Sequence, residues 1–240
     1  MSGADLTVFI FQQALLRAIP LLIVALGGVF SERSGIINLA LDGERIFGAF
    51  IGAVFVKLRV EKAAWAGTSQ ALFLLGRLIS AAAGAIRSLL LSFAAIKRKA
   101  DQTIVGTSLN RLAPAIVSAF GLVFFSQEKI VSGGSFSIRR NRYPAAFQSM
   151  LKNSRFLSFF FDKIYISTYI VILLFILLSI WLYKTKTGTH LRACGENPQA
   201  ADSVGINVYK RRYLGSTISG ALAGLGGFVY IATVSATTAD

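Results

Sequence analysis

Long apolar runs alternate along this chain with short polar linkers, and the runs predict its elements. The cleanest is IYISTYIVILLFILLSIWLY, Ile164 to Tyr183, twenty residues without a charge, bracketed by Lys163 and Lys184. At about 1.5 Å rise per residue it is long enough to cross a hydrocarbon core of roughly 30 Å. Five further runs predict spans, each carrying something polar or small. They are Leu6 to Phe30 with Gln12, Gln13, Arg17 and Pro20, and Ile36 to Val56 with Asp42, Glu44 and Arg45. Leu72 to Ile96 with Arg77 and Arg87, Thr103 to Phe125 with Arg111, and the glycine-rich Tyr213 to Val234 complete the set. The expectation is an all-α integral membrane protein, a polytopic helical bundle of about six spans with at least one broken or re-entrant.

Composition agrees with that pattern. The 240 residues are 54% hydrophobic and only 15% charged, with a mean hydropathy of +0.62, where soluble chains carry roughly a quarter of charged residues. A formal charge of +14 would point to nucleic acid in a soluble protein. In a membrane protein basic residues gather at span ends and on anionic lipid, so no nucleic-acid partner is expected. Lys and Arg in the linkers divide evenly between the two sides, so charge alone leaves the orientation open. MSGADLTVF has no basic residue ahead of its apolar run, unlike a cleaved secretory signal, and the first span is expected to stay.

Arg17, Arg45, Arg77, Arg87 and Arg111 fall inside the apolar runs. An arginine in hydrocarbon costs at least about 2.5 kcal/mol near the midplane, so such residues face a bundle interior or a watery path; for Arg17, Arg77 and Arg87, snorkelling to an interface is the alternative. Asp42 and Arg45, three apart, share a helical face and can neutralise one another. Gly48 with Gly52, and Gly220 with Gly224 extended by Ser216, place small residues four apart, which lets membrane helices approach closely. The lone Cys194 excludes an intramolecular disulfide, and neither it nor His190 belongs to a cluster with metal-ligand spacing. No catalytic residue, metal or cofactor is expected, since Asp42 and Glu44 form the one acidic cluster within the runs.

Between the last two runs lies LRACGENPQAADSVGIN, Leu191 to Asn207. Asn197 is a favoured N-cap, Pro198 suits the first helical position, and Gly205 takes the left-handed conformation that closes a helix. A helix of about two turns is marginal alone in water, so this one must be held by docking. Ala200 and Ala201, four and three residues before Val204, are placed on its docking face.

At these residues the sequence resembles the permease subunits of bacterial ABC importers in the branched-chain amino acid, simple-sugar and nucleoside class. TKTGTHLRACGENPQAADSVGINV fits that family's T-x-x-G-x-x-x-R-A-x-G-x-N-x-x-A-A-x-x-x-G-I pattern, and YKRRYLGSTISGALAGLGGFVY follows it. AIPLLIVALGGVFSERSGIINLALDGERIFGAF, with Ser31-Glu32-Arg33-Ser34-Gly35 and Asn38, resembles the amino-terminal motif, and IKRKADQTIVGTSLNRLA with Asn110 resembles a third segment. Departures are Asp42 in place of Glu, and Glu44, Arg45 and Arg111 in place of apolar residues. Relatives continue beyond the region of Asp240 with further spans, so a truncated or split permease is expected.

The resemblance implies one transmembrane permease domain over 1–240, in the bacterial cytoplasmic (inner) membrane, with 184–212 a cytoplasmic coupling loop. Lys97 to Asp101 then also faces the cytoplasm, and Ser126 to Lys163 and the amino terminus face outward. Asn197, Pro198, Ala200, Ala201, Asp202 and Gly205 would form the coupling element that sits in a groove of a cytoplasmic ATP-binding subunit. A second permease subunit, homo- or heterodimeric, and an extracytoplasmic solute-binding protein are the other implied partners. The chain has no G-x-x-x-x-G-K-[ST] loop, so ATP hydrolysis falls to the partner. The SERSGIINLALDG form leans to the nucleoside and simple-sugar branch. Asn38, Asp42 and Asn110, polar in apolar surroundings, are candidates for the solute pathway, the first two four apart on one helical face; hydrogen bonding between helices is the alternative for each asparagine. An ion-coupled carrier using Asp42 and Arg45, or an inactive truncated permease, are the other readings.

Overall fold

A computed structural model of the chain describes residues 3–61, 69–125 and 166–237, which are helices joined by short turns, without a strand. The helices are α1 (Gly3–Arg33), α2 (Leu41–Glu61), α3 (Ser69–Ser92), α4 (Gln102–Phe125), α5 (Ile166–Lys184), α6 (Lys186–Glu196), α7 (Pro198–Ser203) and α8 (Val208–Thr237). A π-helical turn, Phe93–Lys97, extends α3. The expected external segment Ser126 to Lys163 lies outside the described residues.

By length and composition three described helices can cross a bilayer, Leu74–Lys97, Gln102–Phe125 and Val208–Ala232, or four if the pair Val171–Lys184 and Lys186–Glu196, bent by 69°, counts as one span. Six were expected. The expected Ile36 to Val56 span begins five residues later than its apolar pattern, because residues 36–38 lie outside any helix and 39–40 form a turn before α2 starts. Its charges then crowd both helix ends, Asp42, Glu44 and Arg45 at one and Lys57, Arg59 and Glu61 at the other. Lys210, Arg211 and Arg212, read as linker residues, lie inside the first turns of α8.

Helix α8 is the hub, packing most extensively on α3, then on α1 and α2, while α2 also packs on α3. Lipid tails are as apolar as leucine, so the drive for this packing is close van der Waals contact rather than removal from water. The glycine rows supply it. A methyl group at Gly84 would fall on the carbonyl oxygen of Gly220, and one at Gly220 on that of Gly84. At Gly48 it would meet the Gly224 Cα at 2.5 Å, and at Gly52 the Phe228 ring at 2.6 Å. Ser80 Oγ donates to the Gly224 carbonyl at 2.6 Å, adding a hydrogen bond where the backbones are closest.

A second seam joins α1, α5 and α8. Ile19, Ile23, Leu26, Phe30, Val171, Leu182 and Leu222 form its buried core, and Phe30 stacks on Trp181 with ring centres 5.7 Å apart. Helix α4 packs chiefly on α2. Its other faces present Ile104, Leu112, Phe120, Leu122, Val123 and Phe124 outward, as a lipid-facing helix does.

Candidate functional site

The connection between α5 and α8 is built by its sequence motif, position by position. Thr185 has extended backbone angles, φ −99° and ψ 155°, and its side chain accepts a bond from Gly188 N, so it caps α6. Its hydroxyl also donates to Trp181 O at 2.6 Å. A methyl group at Gly188 would collide with the carbonyls of Trp181 and Leu182. Thr185 and Gly188 together therefore allow the 69° bend at the end of α5. Arg192 folds back over the Tyr183 ring, 5.2 Å from its centre, and donates to Tyr183 O at 3.3 Å.

Helix α7 follows the expectation for its ends. Asn197 Oδ1 accepts from Ala200 N at 3.0 Å, and Pro198 occupies the first turn. Gly205 has φ +82°. Its amide donates to Asp202 O at 2.9 Å, and that of Ile206 donates to Ala201 O at 3.0 Å, the paired bonds of a Schellman ending. The shared docking face is only partly as expected. Ala200 and Val204 point outward, Val204 being 73% exposed, whereas Ala201 is 3% exposed and faces inward. A two-turn helix needs an anchor, and Ala201 is its buried side chain.

The SERSG segment ends α1 in the same way. Gly35 has φ +85°, its amide donates to Glu32 O at 2.9 Å, and the Ile36 amide donates to Ser31 O at 3.2 Å. Ser31 Oγ adds a bond to Ile36 O at 2.8 Å. Two motifs about 160 residues apart in sequence meet here. A methyl group at Gly35 would lie 3.1 Å from Gly195 Cα and 3.1 Å from the Arg212 guanidinium, and one at Gly195 would strike Arg33 O. Arg33 pairs with Glu196 at 3.4 Å on the exposed rim, where such a pair contributes little. Beneath it Cys194 is fully buried; burial pushes its thiol pKa up, against a smaller opposing pull from Arg211 and Arg212.

The candidate pathway residues separate. Asn38 is not on the helix with Asp42 but in the turn ahead of it, so the expected common face does not form. Its Oδ1 accepts from Ala40 N at 3.0 Å, and its Nδ2 donates to Glu44 Oε2 at 2.9 Å and Ser219 Oγ at 3.0 Å. Asn110 Oδ1 accepts from Gly43 N at 2.5 Å. Both asparagines thus bond between helices. Asp42 keeps 57% of its side chain exposed and pairs with Arg45 at 2.5 Å, as the spacing predicted; Arg45 in turn lies 5.6 Å from the Tyr230 ring centre.

Glu44 and Arg87 are what the sequence reading missed. Glu44 is fully buried, with Oε1 lacking a hydrogen-bond partner. Arg87, one of three arginines for which snorkelling was an alternative, is 6% exposed. It donates to Gly43 O at 2.5 Å and to Leu109 O, and lies over the Phe47 ring at 5.4 Å. It therefore ties α2, α3 and α4 together from inside. Arg77 is also buried, whereas Arg17 and Arg111 are exposed. The available signal was that an arginine in an apolar run needs acceptors, and a backbone carbonyl has a second lone pair to offer even inside a helix.

A bundle of apolar helices seamed by glycine, with a capped polar helix held against one end, defines a multi-span α-helical membrane protein. The chain belongs to the family described as the permease component of the branched-chain amino acid transport system, which it matches over residues 10–240. It is a multi-pass protein of the cytoplasmic membrane, in a class that works with an ATP-binding subunit and a substrate-binding protein. It is 38% identical over 231 residues to the guanosine ABC transporter permease protein NupQ of Bacillus subtilis, covering 94% of this chain and 68% of NupQ. The nucleoside ABC transporter permease protein NupC of Lactococcus lactis is 37% identical over 227 residues, with the same two coverages. A putative glucose ABC transporter permease protein of Haloferax volcanii, TsgC13, is 29% identical over 217 residues, covering 88% of this chain and 58% of its own length. No solved structure matches.

Proposed function

We propose that this chain forms the solute pathway of an ATP-driven nucleoside importer, in a core completed by a second permease subunit. An extracytoplasmic binding protein delivers solute, and a separate ATP-binding subunit closes on ATP. The observation that carries the nucleoside reading is the match, across 94% of the chain, to two permeases named for guanosine and nucleosides. The glucose relative is more distant.

Helix α7 is the contact through which the ATP-binding subunit drives the bundle. Its support is geometric: a capped helix presents Ala200 and Val204 outward while Ala201 fastens it. The same segment abuts the turn that ends α1, through Gly195 and Gly35, and α1 packs along α8. A displacement of α7 is thereby passed to two spans at once, which is what switching between two bundle arrangements requires. In this reading Asp42 with Arg45, at the start of α2, is the part of the polar set that meets solute, supported by the pair's partial exposure. Asn38 and Asn110 shape the backbone around it.

The test is uptake of labelled guanosine by cells lacking the gene and by the complemented strain. Uptake should require the gene and be competed by adenosine. Competition by ribose or leucine, with none by adenosine or guanosine, would reject the nucleoside assignment.

A further inference from the structure

At the junction of α6, α7 and α8 lies an open cavity of about 670 Å³, whose lining includes His190, Asn207, Lys210 and Arg211 together with the apolar Val204, Ile206 and Leu214. No carboxylate side chain is among its lining residues. The two acidic residues of the connection are placed elsewhere: Glu196 pairs with Arg33, and Asp202 is an exposed residue of α7 outside the lining. Among the described residues neither Lys210 nor Arg211 has a carboxylate within ion-pair distance. Arg211 Nη2 lies 3.4 Å from His190 Nδ1. The ring stands beside the guanidinium on the cavity wall. The cavity thus offers donors and positive charge with nothing to neutralise them.

Its depth matters as much as its charge. The apolar run of α8 begins at Tyr213, so Lys210 and Arg211 lie just ahead of it, at the level where hydrocarbon gives way to headgroups. Leu214, one turn further into the span, is 37% exposed beside them. A basic cleft with an apolar wall at that level has the chemistry of a phosphate joined to an acyl chain.

We infer that this cavity binds the phosphate of an anionic phospholipid, with Lys210, Arg211 and His190 on the headgroup and Leu214 against the chain. Val204 belongs both to this cavity and to the outward face at the end of α7, so the two adjoin; the lipid site does not depend on which solute crosses.

The full chain alone, purified in detergent, would be exchanged into vesicles of phosphatidylcholine with or without phosphatidylglycerol, and retained lipid counted by native mass spectrometry. Phosphatidylglycerol should be retained over phosphatidylcholine. The double variant Lys210→Gln/Arg211→Gln should lose about 30-fold in that preference, as expected for two basic residues near an anionic surface. Lys184→Gln/Lys186→Gln, which neutralises two exposed residues of the same connection outside the cavity, should retain it, and Lys210→Arg/Arg211→Lys should restore most of it. Equal retention by wild type and double variant overturns the inference. So does full competition by inorganic phosphate or glycerol phosphate, which would make this a soluble-phosphate site. An effect of the double variant confined to binding of the ATP-binding subunit in lipid-free detergent would make it a protein contact instead.

Discussion

Ala200→Glu separates the stability of α7 from its role as a contact. Residue 200 lies in the first turn, its amide already capped by Asn197, and its side chain faces out. A carboxylate near a helix N-terminus is favourable by about 0.3–1 kcal/mol, so α7 should remain folded. If the outward face sits in a groove of the ATP-binding subunit, the same carboxylate becomes an unpaired charge at a closed interface. That costs about 3 kcal/mol or more, roughly 150-fold in Kd. Ala201→Glu makes the opposite experiment, because residue 201 is buried and the new charge must break the anchor of α7 on its own chain. The measurement is titration of the purified ATP-binding subunit onto the permease in nanodiscs, with the permease melting curve recorded in parallel. Ala200→Glu should weaken binding with an unchanged melt, and Ala201→Glu should weaken both. Wild-type affinity and normal solute-stimulated hydrolysis for Ala200→Glu would refute the assignment of this face.

Asn197→Ala removes the side-chain acceptor for Ala200 N and should cost about 1 kcal/mol of helix stability, read as about fivefold weaker binding of the ATP-binding subunit. Gly205→Val, at φ +82° with open space around it, should be destabilising through the backbone alone by about 1–2 kcal/mol, while Gly205→Asn should be milder in the same assay. Gly84→Val places atoms on the Gly220 carbonyl and should lower stability in detergent by about 1–3 kcal/mol, whereas Ile86→Leu on the exposed face should be silent in the same melt. Cys194 is the single cysteine, buried with its thiol pKa raised. Since the thiolate is the reactive form, maleimide labelling of the folded protein should be slow at pH 7 and rise only above the ordinary thiol range; fast labelling at pH 7 would contradict the packing of α6.

Local chemistry was legible in the sequence wherever a few neighbouring residues decide the outcome. Asn197, Pro198 and Gly205 bound α7 because capping and a left-handed closing residue are properties of one helix end. Asp42 and Arg45 pair because i,i+3 neighbours on a helix meet. The apolar runs of α4 and α8 likewise announce themselves by length. What the tertiary structure decided is where polar groups inside the bundle find partners. Asn38 leaves the helix that its apolar neighbours predict because its side chain satisfies Ala40 N and bridges Glu44 to Ser219, 181 residues away. Arg87 turns inward because the carbonyls of Gly43 and Leu109 are brought beside it by two other helices. Ala201 and Ala200 differ in direction although they are neighbours of one type, since only the body of the bundle fixes which side of a two-turn helix is buried. A membrane interior offers no water to a stray donor or acceptor, so the choice of partner is made by whichever backbone or side chain the packed helices bring within reach.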